Sequence, residues 1–307
     1  MNKLYIIGNG FDLWHNLPTS YECFNAFMLK EHPKDYERIG HIFNRSDVSK
    51  LWSDYENMLP KFDIIKLVEN NIEIWSNYRD LYKVENAFDS LYKDLMWLFH
   101  EWVLQIDYSR AYEKRLALDN QATFLNFNYT NTLERFYGIC RKKICYIHGD
   151  TSDNSLCQPV IGHGESSVES IIFPLIGDIC NIVNTYNHFP QWAQTPCAFM
   201  TEILEMIKTF LYDLKKNTDY YIEENEDWFA RIGNIENIYV LGHSLAGVDA
   251  PYFKRIHNES PKATWHLSYL EEKEKDDRVE KLYNLLDVSR HDISVKLFSF
   301  DDMELKI

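Results

Sequence analysis

The sequence predicts an α/β fold in which a mostly parallel sheet carries a large all-helical insertion. Short apolar runs alternate along the chain with amphipathic helical stretches, and each run is apolar almost throughout. Strands of this kind are buried on both faces, which is typical of parallel sheets covered by helices on either side. A long block with helical spacing separates the first apolar run from the second, and this block predicts the insertion.

The chain opens with an apolar run at residues 4–7, which predicts a buried strand running into the tight turn Gly8-Asn9-Gly10. A helix is expected over residues 21–30. Between residues 78 and 106, apolar side chains recur at three- and four-residue steps and therefore share one helix face. These side chains are Leu81, Val84, Phe88, Leu91, Leu95, Leu98, Phe99, Trp102 and Ile106. The predicted core comprises residues 1–30 and 120–307, and the predicted helical insertion comprises residues 31–119.

The rest of the chain continues the alternation of strand and helix. Strands are expected at residues 122–127, 143–147, 159–161, 237–241, 264–270 and 293–300, and helices at 132–136, 199–216 and 249–257.

Composition narrows the classes of function. The formal net charge is -15, so a basic face that binds nucleic acid without sequence preference is not expected. The six cysteines form no CxxC pair, and no metal site is predicted. We find no signal-peptide pattern and no apolar run of transmembrane length, which predicts a cytoplasmic protein that does not enter a membrane.

Four predicted strands end in small or polar residues. These endings are Gly8 to Asp12, Asn128, His148, and Gly242 to Ser244. The carboxyl ends of parallel strands meet at one edge of a sheet, and ligands of such folds bind in the crevice there. The convergence of four such endings predicts a ligand site at this edge.

The glycine turn after the first strand can bring the backbone close to a pyrophosphate, with helix amides pointing toward it. It lacks the third glycine of a dinucleotide fingerprint, and no ribose-binding acid follows some twenty residues later. A hydride-transferring dehydrogenase is therefore disfavoured, while a plain tight turn remains an alternative.

Asn128 and His148 are the two candidates for chemistry. An amide both donates and accepts hydrogen bonds, so Asn128 can orient a water or a ribose hydroxyl without becoming charged. Histidine is readily tuned as a general base near neutral pH. The alternatives are an asparagine that caps a turn and a structural histidine.

Gly242-His243-Ser244-Leu245-Ala246 is similar to the GxSxG elbow that exposes a nucleophilic serine in α/β-hydrolases. Ser244 comes late in the chain for a triad, and a hydrolase assigns no role to Gly8, Asn128 or His148. A serine hydrolase stays open as an alternative.

In chain order, these segments resemble the AbiH-type bacteriophage abortive-infection family. The matching segments are Gly8-Asn9-Gly10-Phe11-Asp12, Leu17-Pro18-Thr19-Ser20-Tyr21, Asn126-Phe127-Asn128-Tyr129-Thr130-Asn131-Thr132-Leu133-Glu134, Ile147-His148-Gly149, and Gly242-His243-Ser244-Leu245 with Asp249, Pro251 and Tyr252, while Trp52 and Glu56 also fit.

That family is in turn similar to sirtuins and their NAD-degrading antiviral relatives, which implies a Rossmann-like, sirtuin-like sheet. The resemblance implies that Asn128 and His148 are catalytic, and Asp12 is a candidate for stabilising developing positive charge. The residues implied to bind NAD are Gly8, Asn9, Gly10, Phe11, Thr19, Gly242, Ser244 and Asp249. The cysteine-built zinc module of deacetylase sirtuins is missing from the sequence, so protein deacetylation is not expected.

The resulting expectation is an antiphage effector that hydrolyses NAD at the nicotinamide–ribose bond, with NAD as substrate rather than cofactor. The resemblance also implies a homo-oligomer held inactive until a phage-derived or protein activator appears. A non-catalytic sensor of NAD or ADP-ribose is the second alternative.

Overall fold

The computed structural model describes residues 2–42, 63–66, 68–69, 93–111, 114–149, 167–185 and 195–304. The chain divides into two compact units. The first contains residues 1–20, 100–160 and 217–307, and the second contains residues 21–99 and 161–216. The predicted limits of the core and of the insertion, residues 31–119, stay a prediction.

The first unit is built on one six-stranded, all-parallel sheet, which confirms the predicted fold class. Its strands are β1 (Lys3–Ile7), β2 (Thr123–Asn126), β3 (Ile144–Tyr146), β4 (Asn237–Leu241), β5 (Thr264–Tyr269) and β6 (Ser294–Ser299). The strand order is β3-β2-β1-β4-β5-β6, the Rossmann order. The predicted strand at 159–161 lies outside the described residues, as do Trp52 and Glu56.

The helices occur in the predicted alternation with the strands. In chain order they are α1 (Asn9–Trp14), α2 (Tyr21–Glu31), α3 (Pro33–Ile42), α4 (Thr132–Tyr137), α5 (Val168–Ile172), α6 (Ile176–Thr185), α7 (Pro196–Asp213), α8 (Thr218–Glu224), α9 (Glu226–Phe229), α10 (Ala250–Glu259), α11 (Lys275–Leu286) and α12 (Phe300–Met303). Residues 93–104 are also helical, and the earlier part of the predicted helix over 78–106 falls outside the described residues.

Both faces of the sheet are buried at its central strands, which explains why the sequence of β1 is apolar almost throughout. In β1, Leu4 and Ile6 belong to one buried cluster, and Tyr5 and Ile7 belong to the other. Successive side chains of a strand point to opposite faces, so a strand covered on both sides needs apolar residues at every position.

The register aligns the carboxyl ends of the central strands. Ile7 in β1 pairs with Asn126 in β2 on one side and with Leu241 in β4 on the other. The strand order changes direction between β1 and β4, and ligands of doubly wound sheets bind outside the strand ends at such a switch point. The segments that follow β1, β2 and β4 therefore begin next to one another at the same edge of the sheet.

The second unit, considered alone, is helical in its described residues. Phe24 of α2 packs edge-on against Phe99 at a centroid distance of 5.3 Å, and Arg38 of α3 pairs with Asp94 at 2.6 Å. Helix α7 buries one face against α5 and α6. The buried side chains of that face are Phe199, Ile203, Ile207, Phe210 and Leu211.

One helical stretch, Val168–Thr185, is long and apolar enough to cross a membrane, with a mean hydropathy of 1.2 over 18 residues. The expectation that no apolar segment has this length is therefore wrong. Glu169 and Asp178 interrupt the apolar run in the sequence, but α5 and α6 follow each other through a 3-10 turn at Phe173–Leu175. Only 22% of the stretch is buried, and its buried side chains are Val168, Ile172, Ile179 and Val183.

Candidate functional site

Three glycines let the segments after β1 and β4 pack against each other. The Gly10 N–H donates to the Gly242 carbonyl at 2.8 Å. A Cβ on Gly8 would lie 2.4 Å from His243 Cα, and one on Gly242 would lie 2.2 Å from the Phe11 nitrogen. Gly242 also has a φ of +65°, in the left-handed region that favours glycine. Close backbone packing at the switch point therefore requires glycine at these positions.

The amides of this turn are largely occupied by the protein. Gly8, Gly10 and Phe11 donate their N–H groups to the carbonyls of Leu241, Gly242 and Gly8, respectively. The sequence predicted that the amides of residues 8–11 hold a pyrophosphate, and three of those four donors are already hydrogen-bonded. A bound phosphate would depend on the Asn9 amide, at the exposed start of α1, or on donors beyond this turn.

Asn128 lies beside the glycine turn, as the sequence predicted. Its Nδ2 donates to the Gly8 carbonyl at 3.1 Å, and its backbone N–H donates to Asn126 Oδ1 at 3.0 Å. Asn131 occupies the N-cap position of α4. Asn126 therefore shapes the turn and Asn131 begins the helix, so neither structural task falls to Asn128.

Asp12 is the acidic group of this part of the site. Its side chain is buried, and its Oδ2 accepts a hydrogen bond from Thr130 Oγ1 at 2.5 Å. Burial raises the pKa of Asp12 to about 6, although the Thr130, Thr132 and Asn128 side chains favour the ionised form. Among the described residues, no group donates a hydrogen bond to the other carboxylate oxygen, Oδ1.

His148 faces a carboxylate. Its Nε2 lies 3.8 Å from Oδ1 of Asp249, and the other carboxylate oxygen, Oδ2, lies 3.3 Å from Nε2 of His243. The Phe127 ring packs edge-on against both imidazoles, at centroid distances of 5.1 Å to His148 and 4.4 Å to His243. Asp249, which the resemblance assigned to NAD binding, thus bridges two histidines within a buried aromatic cluster.

The predicted residues form two groups at the carboxyl edge. Asn128 and Asp12 lie with Gly8 and Thr130, whereas His148 lies with Asp249. The segment 127–129 connects them, because the rings of its first and last residues contact the His148 ring while its middle residue bonds to Gly8.

Sequence reasoning missed His243. The available signal was a histidine directly after the strand-end glycine, six residues before an aspartate. The resemblance to a serine elbow directed attention to Ser244 instead.

Ser244 and Thr19 complete the predicted set. Ser244 is exposed, and the residue in the strained left-handed region is Leu245, with a φ of +60°, rather than the serine. Thr19 is buried, and its carbonyl accepts a hydrogen bond from Asn9 Nδ2 at 2.8 Å. The Oγ1 of Thr19 has no hydrogen-bond partner in the described part of the chain.

A cavity of about 310 Å³ opens at the opposite edge of the sheet, where the strands begin. Lys3, Asp119, Thr123 and Arg231 are among its lining residues. None of the predicted site residues lines it. The site at the carboxyl edge therefore rests on the convergence of polar side chains rather than on this cavity.

The family description "Bacteriophage abortive infection AbiH" matches residues 4–269, a range that includes every residue of the candidate site. No curated protein and no solved structure matches the chain.

Proposed function

The chain belongs to the bacteriophage abortive infection AbiH family, and on this premise we propose that it is an effector that hydrolyses NAD at the nicotinamide–ribose bond. Membership in the family implies a role in abortive infection. The observation that carries the enzymatic proposal is the set of buried Asn, Asp and His side chains that follow β1, β2 and β3 at the carboxyl edge of a Rossmann-ordered sheet.

The proposed ligand is a dinucleotide because of where these side chains lie. The crevice outside the carboxyl ends at the β1/β4 switch point is the usual dinucleotide site of such sheets. Oδ1 of Asp12 and Oγ1 of Thr19 are buried polar atoms without hydrogen-bond partners in the described residues. Buried polar atoms usually have partners. The Asp12 oxygen is therefore suited to accept a hydrogen bond from a ribose hydroxyl, and the Thr19 hydroxyl is suited to donate or accept one.

In the proposed reaction, the bond between the ribose C1′ and the nicotinamide nitrogen breaks, and its electron pair stays on nicotinamide, which leaves neutral. Water then adds to the cationic C1′, and the proton it loses passes to His148. The products are nicotinamide, ADP-ribose and a proton. Asn128 orients the water or a ribose hydroxyl, and ionised Asp12 stabilises the positive charge that develops on the ribose.

The experiment is to incubate the purified protein with NAD and measure free nicotinamide, alone and with lysate from phage-infected cells that supplies an activator. Asn128→Asp preserves the size of the side chain but removes its donor, and should lower the rate by about 10²-fold or more. Asn131→Ala, in the same motif, is the matched control and should retain activity. The proposal is wrong if NAD stays intact under both conditions.

A serine hydrolase is the second candidate, because Ser244 is exposed next to the strained Leu245 and to a histidine–aspartate pair. Labelling of wild-type protein, but not of Ser244→Ala, by a fluorophosphonate would favour it. A non-catalytic sensor would bind NAD, leave it intact, and protect cells equally well with Asn128→Ala.

A further inference from the structure

Asp249 contacts two histidines and is nearly inaccessible to solvent. Its relative exposure is 5%, and those of His148 and His243 are 4% and 3%. Oδ2 of Asp249 lies 3.3 Å from His243, and Oδ1 lies 3.8 Å from His148. The shorter distance is within reach of a hydrogen bond and the longer one is beyond it, and either contact is an ion pair only when its histidine is protonated.

A hydrogen bond to the other ring nitrogen of His243, Nδ1, fixes the tautomer of this residue. The backbone N–H of Leu245 donates to Nδ1 of His243 at 3.0 Å. An imidazole nitrogen that accepts a hydrogen bond carries no proton, so the neutral ring must carry its proton on Nε2. Nε2 is also the ring nitrogen that lies 3.3 Å from Oδ2 of Asp249.

The segment that carries His243 is held in place from several sides. The Gly242 N–H donates to Ser268 Oγ at 2.9 Å, and Arg278 Nη1 donates to the His243 carbonyl at 2.7 Å. Leu245 adopts a left-handed conformation, with a φ of +60°, which is unfavourable for a leucine. That conformation accompanies the alignment of the Leu245 N–H with the His243 ring.

We infer that His243 is a positioning residue for the proposed reaction: it holds Asp249 so that the carboxylate faces and orients His148. Asp249 is then a positioning carboxylate and not a contact to NAD. This inference rests on the proposed function, because the group being positioned is the proposed proton acceptor. The arrangement follows a common rule, in which a carboxylate fixes the ring orientation of a working histidine and is itself held by a further hydrogen bond.

Loss of the His243 donor should change the charge of Asp249. A buried carboxylate that loses a hydrogen-bond donor becomes harder to ionise. Among the described residues, the groups that face His148 include Asp249 and the rings of Phe127, Tyr129 and Tyr252. Because Asp249 is the carboxylate among these groups, its neutralisation should be visible at the His148 ring.

The test compares His243→Phe, which keeps an aromatic ring but removes both nitrogens, with His243→Gln, which keeps a donor. An NMR titration of the histidine ring nitrogens follows His148 without any need for activity. Asp249→Asn should lower the pKa of His148, because the carboxylate that favours the charged imidazole is removed. His243→Phe should move the His148 signals toward those of Asp249→Asn, and His243→Gln should keep them near wild type.

The buried ring of His15 is an internal control for folding in the same spectra, and its signals should stay constant in all three variants. If the His15 signals shift in His243→Phe, that variant is perturbed beyond the site. The positioning role is then judged from the comparison of Asp249→Asn with wild type. The inference is overturned if His148 titrates identically in those two proteins, or if folded His243→Phe leaves the His148 signals at their wild-type positions.

Nicotinamide release provides a second readout. His243→Phe and Asp249→Asn should each lower kcat by about 10- to 100-fold while KM changes by less than about twofold, and His243→Gln should recover most of the loss. A rise in KM at constant kcat would instead make Asp249 a contact to NAD and overturn the inference. If wild-type protein releases no nicotinamide, the proposed function fails, while the NMR titration still decides the positioning role.

Discussion

Two buried polar networks, one at the C-cap of α1 and one that begins within α1, differ in how completely their hydrogen bonds are satisfied. In the first, His15, at the C-cap of α1, donates from Nδ1 to the Phe11 carbonyl at 2.7 Å and accepts from the Tyr137 hydroxyl at 2.7 Å. The same hydroxyl accepts from the Leu116 N–H at 3.1 Å. Both ring nitrogens therefore have partners, and burial lowers the pKa of His15 to about 4, so the ring is neutral.

The second network begins with Asp12, on α1 itself. Thr130 donates to one oxygen of Asp12, while the other oxygen and the Thr19 hydroxyl have no hydrogen-bond partner among the described residues. Burial raises the pKa of Asp12 to about 6. A fully paired network stabilises the fold, whereas a network that leaves buried polar atoms unpaired is suited to bind a ligand. The comparison predicts that changes in the two networks affect different properties.

The largest expected effect compares His15 of the paired network with His148 of the other polar group at the carboxyl edge, each exchanged for asparagine. His148→Asn should lower the rate of nicotinamide release per folded molecule by about 10²- to 10⁴-fold, because it removes the proposed proton acceptor. His15→Asn should lower the free energy of unfolding by about 1–3 kcal/mol, because two partners lose their hydrogen bonds, and keep the rate per folded molecule. The comparison fails if both variants lose the same property.

The next effect is a pH dependence of opposite sign in the two networks. The folded-state pKa of Asp12 is raised, so its neutral form favours folding at low pH, and this contribution is lost as the pH rises through about 6. The folded-state pKa of His15 is lowered, so stability is lost as the pH falls from about 6.5 to about 4.

Asp12→Asn isolates the acidic group. Relative to wild type, the free energy of unfolding of the variant should increase by about 2 kcal/mol between pH 4 and pH 7, since a pKa difference of one is worth about 1.4 kcal/mol. Urea titrations at several pH values measure this. A constant difference between the two proteins across that range would show that Asp12 does not titrate as its burial requires.

A smaller effect is expected at the contact between Gly10 and Gly242. A Cβ on Gly10 would lie 2.8 Å from the Gly242 carbonyl oxygen, whereas one on Gly247 has no atom within 4 Å. Gly10→Ala should lower the free energy of unfolding by about 1–3 kcal/mol through overpacking, and should also reduce activity. Gly247→Ala is the control and should be near neutral. Equal stability of the two variants would contradict the packing role of Gly10.

The smallest effect concerns the rim of the paired network. Tyr137→Phe removes the hydroxyl that bonds to both His15 and the Leu116 N–H, and should cost about 1 kcal/mol in urea denaturation. Nicotinamide release per folded molecule should remain at the wild-type rate. A lower rate per folded molecule would show that the two networks are coupled, which would contradict the comparison.

The fold was largely predictable because burial on both faces of a parallel sheet leaves a local signature. The apolar runs mark β1 and β4 to within one residue at each end, as with residues 237–241. Polar residues directly after the runs of β1, β2 and β4 mark the carboxyl edge, where Asn128 bonds to the Gly8 carbonyl. These inferences need only the alternation of side chains along one strand.

The partners of the site residues were not predictable in this way. His15 and Tyr137 are 122 positions apart, and Asp249 meets His148 from a different strand connection. Nothing local distinguishes an aspartate that contacts a nucleotide from one that contacts two histidines. The role of His243 likewise depends on the direction of one backbone N–H, that of Leu245.

The sequence by itself determined the class of the fold and the family of the protein, and it predicted the sheet edge where the candidate residues converge, because each depends on residue types in linear order. The tertiary structure alone decided that the glycines after β1 and β4 pack against each other, that Asp249 joins two imidazoles, and that one oxygen of Asp12 has no hydrogen bond within the described residues. The physical reason is that steric contact, tautomer choice and burial depend on atoms brought together from distant parts of the chain.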